Sequence, residues 1–86
     1  MVDTGAKSQL IVRVPGIHGG EPVIRGTRVP VRSVVVACEQ YNGDLAKVGE
    51  AFLLGLEAIQ AALAYYDAHR DEIDKIIQKR ERAALR

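Results

Sequence analysis

Two arginines, Arg25 and Arg28, flank the pair Gly26-Thr27, and they are the side chains of this sequence best suited to binding chemistry. A guanidinium is planar, permanently charged and donates in a fork that matches phosphate or carboxylate oxygens two at a time. Held on a tight turn, Arg25 and Arg28 form an anion-binding pair. In an ordinary loop they only bond local carbonyls and carboxylates, and residue type alone weighs the two readings about equally. Arg32 extends the same patch, one helical turn into a helix that starts near Pro30. Residues for covalent or metal chemistry are sparse. His18 has no second His, Cys or carboxylate at ligand spacing and His69 is remote, which argues against metal binding and acid–base catalysis. The single cysteine, Cys38, leaves no internal disulfide. It has no His near it and falls on an apolar stripe, so it reads as a small core residue and not a nucleophile. Gly16-Ile17-His18-Gly19-Gly20 lacks the Gly-Lys-Ser/Thr ending and the strand–loop–helix setting of a phosphate-cradling loop, and a structural loop is the better reading. With no grouping of nucleophile, base and oxyanion donors, the chain is expected to be no enzyme and to carry no cofactor or metal.

What must position the arginines is residues 15–31, which hold all three prolines and four of the eight glycines. The backbone there is set by residues that fix φ or permit φ > 0. The sequence Ile24-Arg25-Gly26-Thr27-Arg28-Val29 suits a tight turn between short extended arms. Before it, residues 9–14 (Gln-Leu-Ile-Val-Arg-Val) are β-branched and apolar, a strand that ends at Pro15. One short strand and two-residue arms do not make a stable sheet. The exposed edge is therefore expected to pair with a second subunit, giving a homodimer, or with a partner chain.

After Pro30 the period changes. Val31, Val34, Val35, Cys38 and Tyr41 share one helical face, and the β-prone run of valines is outweighed by a spacing that persists over residues 31–41. Asn42-Gly43 ends this helix and Asp44 caps the next, residues 45–52, whose Leu45, Val48 and Phe52 share a face. Leu54-Gly55 breaks the chain again. Residues 56–68 place Leu56, Ile59, Leu63 and Tyr66 on one side, with Ala58, Ala61, Ala62 and Ala64 permitting close helix approach. A weak break near His69-Arg70 precedes residues 71–82, acidic at the start and basic at the end as the helix dipole favours. There Ile73, Ile76 and Ile77 oppose Lys75, Lys79, Arg80 and Arg82. The segment is either a fourth core helix or a helix that orders in a partner's groove. The expected architecture is mainly α: a helix-turn-helix three-helix core, a short N-terminal β-strand or hairpin arm and a C-terminal helix. Residues 1–8 are expected to be a flexible N-terminus, 9–82 a single domain, and 83–86 a basic tail.

Eighty-six residues allow one small core, and with no Trp and one Phe it must be aliphatic and thin. The net charge of +1 hides a pattern. Residues 1–34 carry five Lys/Arg against two Asp/Glu, residues 35–74 two against eight, and residues 75–86 five against one, so an anionic partner should meet the ends. No charged-then-apolar stretch and no apolar run near membrane-spanning length stands out, so neither export nor a membrane span is expected, and a reducing cytoplasm is the expected compartment.

The run Gly20-Glu21-Pro22-Val23-Ile24-Arg25-Gly26-Thr27-Arg28-Val29-Pro30-Val31, the helices after it and the Tyr65-Tyr66 pair resemble the small bacterial family called domain of unknown function 433, over roughly residues 11–79. The resemblance implies a homeodomain-like fold and the role of a VapB-type antitoxin encoded beside a PIN-like ribonuclease toxin. Such nucleases hold metal with clustered carboxylates, which an entering arginine would displace. The implied function is antitoxin of a type II toxin–antitoxin pair that also binds its operator DNA; the alternative is a stand-alone homodimeric DNA-binding regulator, and a scaffold module is the third. The third helix has Glu57, Gln60 and Asp67 and no Lys or Arg before Arg70, poor chemistry for a phosphate-lined groove, and Gly55 stands where the family usually carries a Ser or Thr cap. The partner- or DNA-binding set is therefore Arg25, Gly26, Thr27, Arg28, Arg32, Lys79, Arg80 and Arg82.

Overall fold

The computed structural model describes residues 10–84. The expected flexible N-terminus, Gln9 of the expected strand and the last two residues of the expected basic tail lie outside the described residues. The remaining strand residues form β1 (Ile11–Arg13), which pairs antiparallel with β2 (Pro22–Ile24), Ile11 opposite Ile24 and Arg13 opposite Pro22. The Arg25 N–H donates to the Leu10 carbonyl at 2.7 Å, so alternation along the ladder puts Pro22 at a position whose missing N–H points away from β1. The arm thus completes a two-stranded hairpin within one chain, a correction to the expectation that its sheet needs a second subunit. Three residues led by a proline carry too little β signal to be recognised in the sequence. The hairpin holds because β2 is covered on both faces, Ile24 with Ile11 opposite it on one and Val23 on the other, all three buried.

The 24–29 turn is locked from several sides. Gly26 takes φ +79°, and the Thr27 N–H donates to the Ile24 carbonyl at 3.0 Å, the geometry of a turn that needs glycine at its third position. The Thr27 hydroxyl donates to the same carbonyl at 2.8 Å and accepts from the Val29 N–H at 3.0 Å. Ile24 N–H then bonds the Val29 carbonyl at 2.9 Å, and Val23 bridges to Pro30.

Four helices follow: α1 (Val31–Gln40), α2 (Leu45–Phe52), α3 (Leu56–Ala68) and α4 (Arg70–Ala84). Val31 and Val34 of α1 are fully buried, with Val35 and Ala37 nearly so; tertiary burial overrides the β preference of the valine run. The buried arc departs from the expected stripe. Tyr41 lies beyond the helix and is exposed and Cys38 is half-buried, while Ala37 faces the core, because α3 and α4 both pack on α1 and widen its covered side. Asp44 caps α2 by accepting the Lys47 N–H at 3.2 Å. Ile59, Ala61 and Ala62 of α3 are buried, whereas Leu56, expected on the core face, is 55% exposed because it stands at the outward-facing start of the helix. α4 begins one residue earlier and ends two later than the spacing predicts; its Ile73 is fully buried, which fits the fourth-core-helix alternative.

The axes of α2 and α3 turn through 107° over residues 53–55. Leu54 N–H donates to the Gly49 carbonyl at 2.8 Å, and a Cβ on Gly49 would lie 2.7 Å from the Leu54 carbonyl oxygen. Leu53 makes the corner in the left-handed region (φ +58°) and is 91% exposed. Among the described residues no single helix is long and apolar enough to cross a membrane.

Two substitutions at this corner should act in opposite directions in urea unfolding followed by circular dichroism. Gly49→Ala forces the α2–α3 connection apart and is expected to cost about 1–3 kcal/mol. Leu53→Gly removes left-handed strain and is expected to be neutral or stabilising by up to about 1 kcal/mol.

Candidate functional site

The charged architecture starts at Glu21, which leads out of the short 3-10 turn His18–Gly20 into β2. Its side chain is 8% exposed. Arg32, in the first turn of α1, donates Nε–H to Glu21 Oε1 at 2.9 Å and Oε2 at 3.2 Å. Arg80 of α4 donates from Nη2 to Glu21 Oε2 at 2.6 Å. A carboxylate taken out of water needs such partners to offset its lost hydration, and here they come from residues 11 and 59 positions away. The consequence is spatial: the two basic ends of the sequence meet on one side of the molecule.

A second network ties β1 to α3 and α4. Arg13 Nη2 donates to the Tyr65 hydroxyl at 2.7 Å and pairs with Glu72, and the Tyr65 hydroxyl donates to Glu72 Oε1 at 3.4 Å. The Glu72 bond pushes the Arg13 guanidinium above its ordinary value, and burial pushes the Tyr65 phenol up. His69 stacks on the Tyr65 ring at 4.0 Å. The neighbouring Tyr66 hydroxyl donates to Asp74 Oδ1 at 2.8 Å, which raises that phenol too. Burial likewise raises the Cys38 thiol, keeping it in its unreactive protonated form.

The arginine-flanked turn is different. Arg25 and Arg28 are exposed, and among the described residues neither guanidinium has an ion pair. The backbone beneath them is fixed: besides the bonds made by Thr27, the Arg28 carbonyl accepts from His18 Nε2–H at 3.0 Å. Gly26 and Thr27 therefore shape the platform. Arg32 and Arg80 are engaged by Glu21, Arg32 with 19% of its side chain exposed and Arg80 with 49%, so Arg80 alone of the two presents much surface outward. Lys79 and Arg82 are exposed on α4. Among the described residues no group of three or more His, Cys, Asp or Glu is placed to hold a metal ion.

Arg13 and Glu72 were not singled out by the sequence, and Glu21 and Tyr65 entered it only as parts of the Gly/Pro run and the tyrosine pair, with no partner assigned. Glu21 sits inside the conspicuous Gly/Pro string, but nothing local announces a partner 59 residues away.

A family model described as "Protein of unknown function (DUF433)" matches residues 11–66, from the hairpin through most of α3 and short of α4. Similar in structure is a DUF433 member protein from Anabaena variabilis, known from its crystal structure. It is 33% identical over 80% of this chain and 68% of that chain, with a TM-score of 0.65. No curated protein matches the chain.

Replacing Glu21 by Gln keeps its volume and removes the charge that both guanidiniums answer. The expected cost is about 2–3 kcal/mol, below the usual loss for a broken buried pair because Arg80 is half exposed. Arg80→Ala is expected to cost about 1 kcal/mol or less. Chemical denaturation of the two variants checks both values.

Proposed function

The chain belongs to the DUF433 family, and on that premise we propose that it is a non-enzymatic antitoxin of a type II toxin–antitoxin pair, a cytoplasmic homodimer that neutralises a PIN-like ribonuclease. The observation that carries this is the 24–29 turn. Two guanidiniums stand exposed on a backbone locked by the Thr27 hydroxyl, and none of the described carboxylates of the chain pairs with either. A nuclease that holds its metal with clustered carboxylates offers the complementary target. Arg25 and Arg28 pair with those carboxylates, the metal is displaced, and with it goes the activated water on which hydrolysis depends. Arg82 and Lys79, exposed on α4, add contacts at the edge.

The 107° angle between α2 and α3 lies in the range of a helix-turn-helix and supports a homeodomain-like core with operator DNA as a second target. The same angle favours the second reading, a stand-alone DNA-binding regulator. In either case the DNA contacts are proposed to run through Arg25, Arg28, Lys79 and Arg82 and not through α3, where Glu57, Gln60 and Asp67 are exposed and would face phosphate with the wrong sign.

Co-expression with the product of the neighbouring gene should yield a complex in which a ribonuclease activity is suppressed. Arg25→Ala/Arg28→Ala is expected to keep its fold and lose about a hundredfold in inhibition; undiminished inhibition would remove the turn from the mechanism. If no complex forms while binding to the promoter fragment weakens steeply with salt, the DNA-binding regulator is the better account.

A further inference from the structure

A groove of about 550 Å³ separates the His18–Gly20 turn from the Ile76, Lys79 and Arg80 side chains of α4. Its charged lining consists of three cations, Arg13, Lys79 and Arg80, and one carboxylate, Glu21. Behind the lining, Arg32 is held by Glu21 and Glu72 by Arg13, one charge of each sign. Two positive charges therefore remain in excess. They are available: Lys79 has no ion pair among the described residues, and Arg80, which shares Glu21 with Arg32, keeps about half of its side-chain surface exposed. Arg80 commits Nη2 to Glu21, and a guanidinium has further N–H donors to offer.

The opposite wall is built without bulk. Gly19 and Gly20 carry no side chain, and even a Cβ at either would meet nothing within 4 Å, so the turn leaves room for a ligand beside it, while the Gly20 N–H is spent on the Ile17 carbonyl at 3.0 Å. His18, Gly19 and Gly20 run through three successive left-handed conformations, φ +48°, +68° and +90°. That is disfavoured for His18, and a segment held so must be fixed from outside; the His18 Nε2–H bond to the Arg28 carbonyl does this. The wall is a rigid, side-chain-poor turn facing a cationic helix.

We infer that this groove is an oxyanion site, and that its ligand carries a phosphate group. The charge decides between oxyanions: a carboxylate would answer one of the two excess cations, whereas a phosphate monoester, with a charge of about −1.5 to −2 near neutral pH, answers both. Ile76 leaves a small apolar surface beside the cations for the group the phosphate is attached to. The phosphate belongs either to a free small molecule or to the 5′ end of a nucleic acid. The site is separate from the Arg25/Arg28 turn, whose guanidiniums do not line the groove.

The test is a titration of isotope-labelled protein with inorganic phosphate, followed by backbone amide resonances, against chloride at the same ionic strength. Phosphate is expected to give saturable shifts at Gly19, Gly20 and Arg80 that chloride does not reproduce. Lys79→Glu is expected to weaken phosphate binding about tenfold, one charge-assisted contact, with an unchanged circular dichroism spectrum. Arg25→Ala/Arg28→Ala should bind phosphate as the parent does. A 5′-phosphorylated dinucleotide that binds more tightly than phosphate assigns the site to a nucleic-acid end, and one that binds no better assigns it to a free phosphorylated molecule. Shifts that do not saturate, equal shifts with chloride, or unaltered affinity in Lys79→Glu would overturn the inference.

Discussion

The structure depends on a carboxylate that two helices cannot leave alone. Glu21 is buried at the start of β2, and a buried carboxylate without partners is strongly destabilising; Arg32 of α1 and Arg80 of α4 satisfy it together. The aliphatic core, built on Val31, Val34, Val48, Ile59 and Ile73, is non-directional and sets no register between the hairpin and the helices. The clamp is directional. It fixes where the proline-rich arm sits on α1 and where the far end of α4 lies over the arm, and through the latter it closes one side of the cationic groove.

Much of this was legible where the determinants are local. Asp44 and the Asn42-Gly43 pair mark the gap between α1 and α2, Gly55 marks the next, and the apolar spacing places α2 and α3 at their observed bounds. The 24–29 turn is equally local, since Gly26 and Thr27 build it from bonds within six residues. What could not be read is what depends on distance in sequence. β2 is too short to carry a period and acquires its identity from β1. Arg32 and Arg80 look like surface cations until the fold brings Glu21 between them, so a guanidinium's role is fixed by its neighbours and not by its type. Tyr41 and Leu56 obey the helical period yet face solvent, because a period names a face and not what covers it.

The arginines are of two kinds, those tied into the scaffold by carboxylates and those left exposed on it. Arg13, Arg32 and Arg80 are tied to Glu72 and Glu21; truncating any of them disturbs the packing of α4 as well as any ligand. Among the described residues Arg25 and Arg28 pair with no carboxylate, and their platform is held by backbone and hydroxyl bonds that survive loss of the guanidiniums. Substitution at these two positions therefore leaves the bonds that hold the turn in place. The family match ends at residue 66, so the turn lies inside the matched part and the α4 side of the clamp beyond it.

A net charge of +1 hides a polarised surface. Glu50 and Glu57 stand exposed around the α2–α3 corner beside Leu53 and Leu56, while Arg28 is joined through His18 to the turn that faces Lys79 and Arg80. Charges so placed act on an anionic surface only within a screening length of about 8 Å at physiological salt. Long-range attraction nearly cancels in a molecule of this net charge; what survives is the torque that would turn a cationic face toward an anionic surface. Specificity then rests on short-range geometry: guanidiniums held on a fixed turn lose less freedom on pairing than the same groups on a mobile loop.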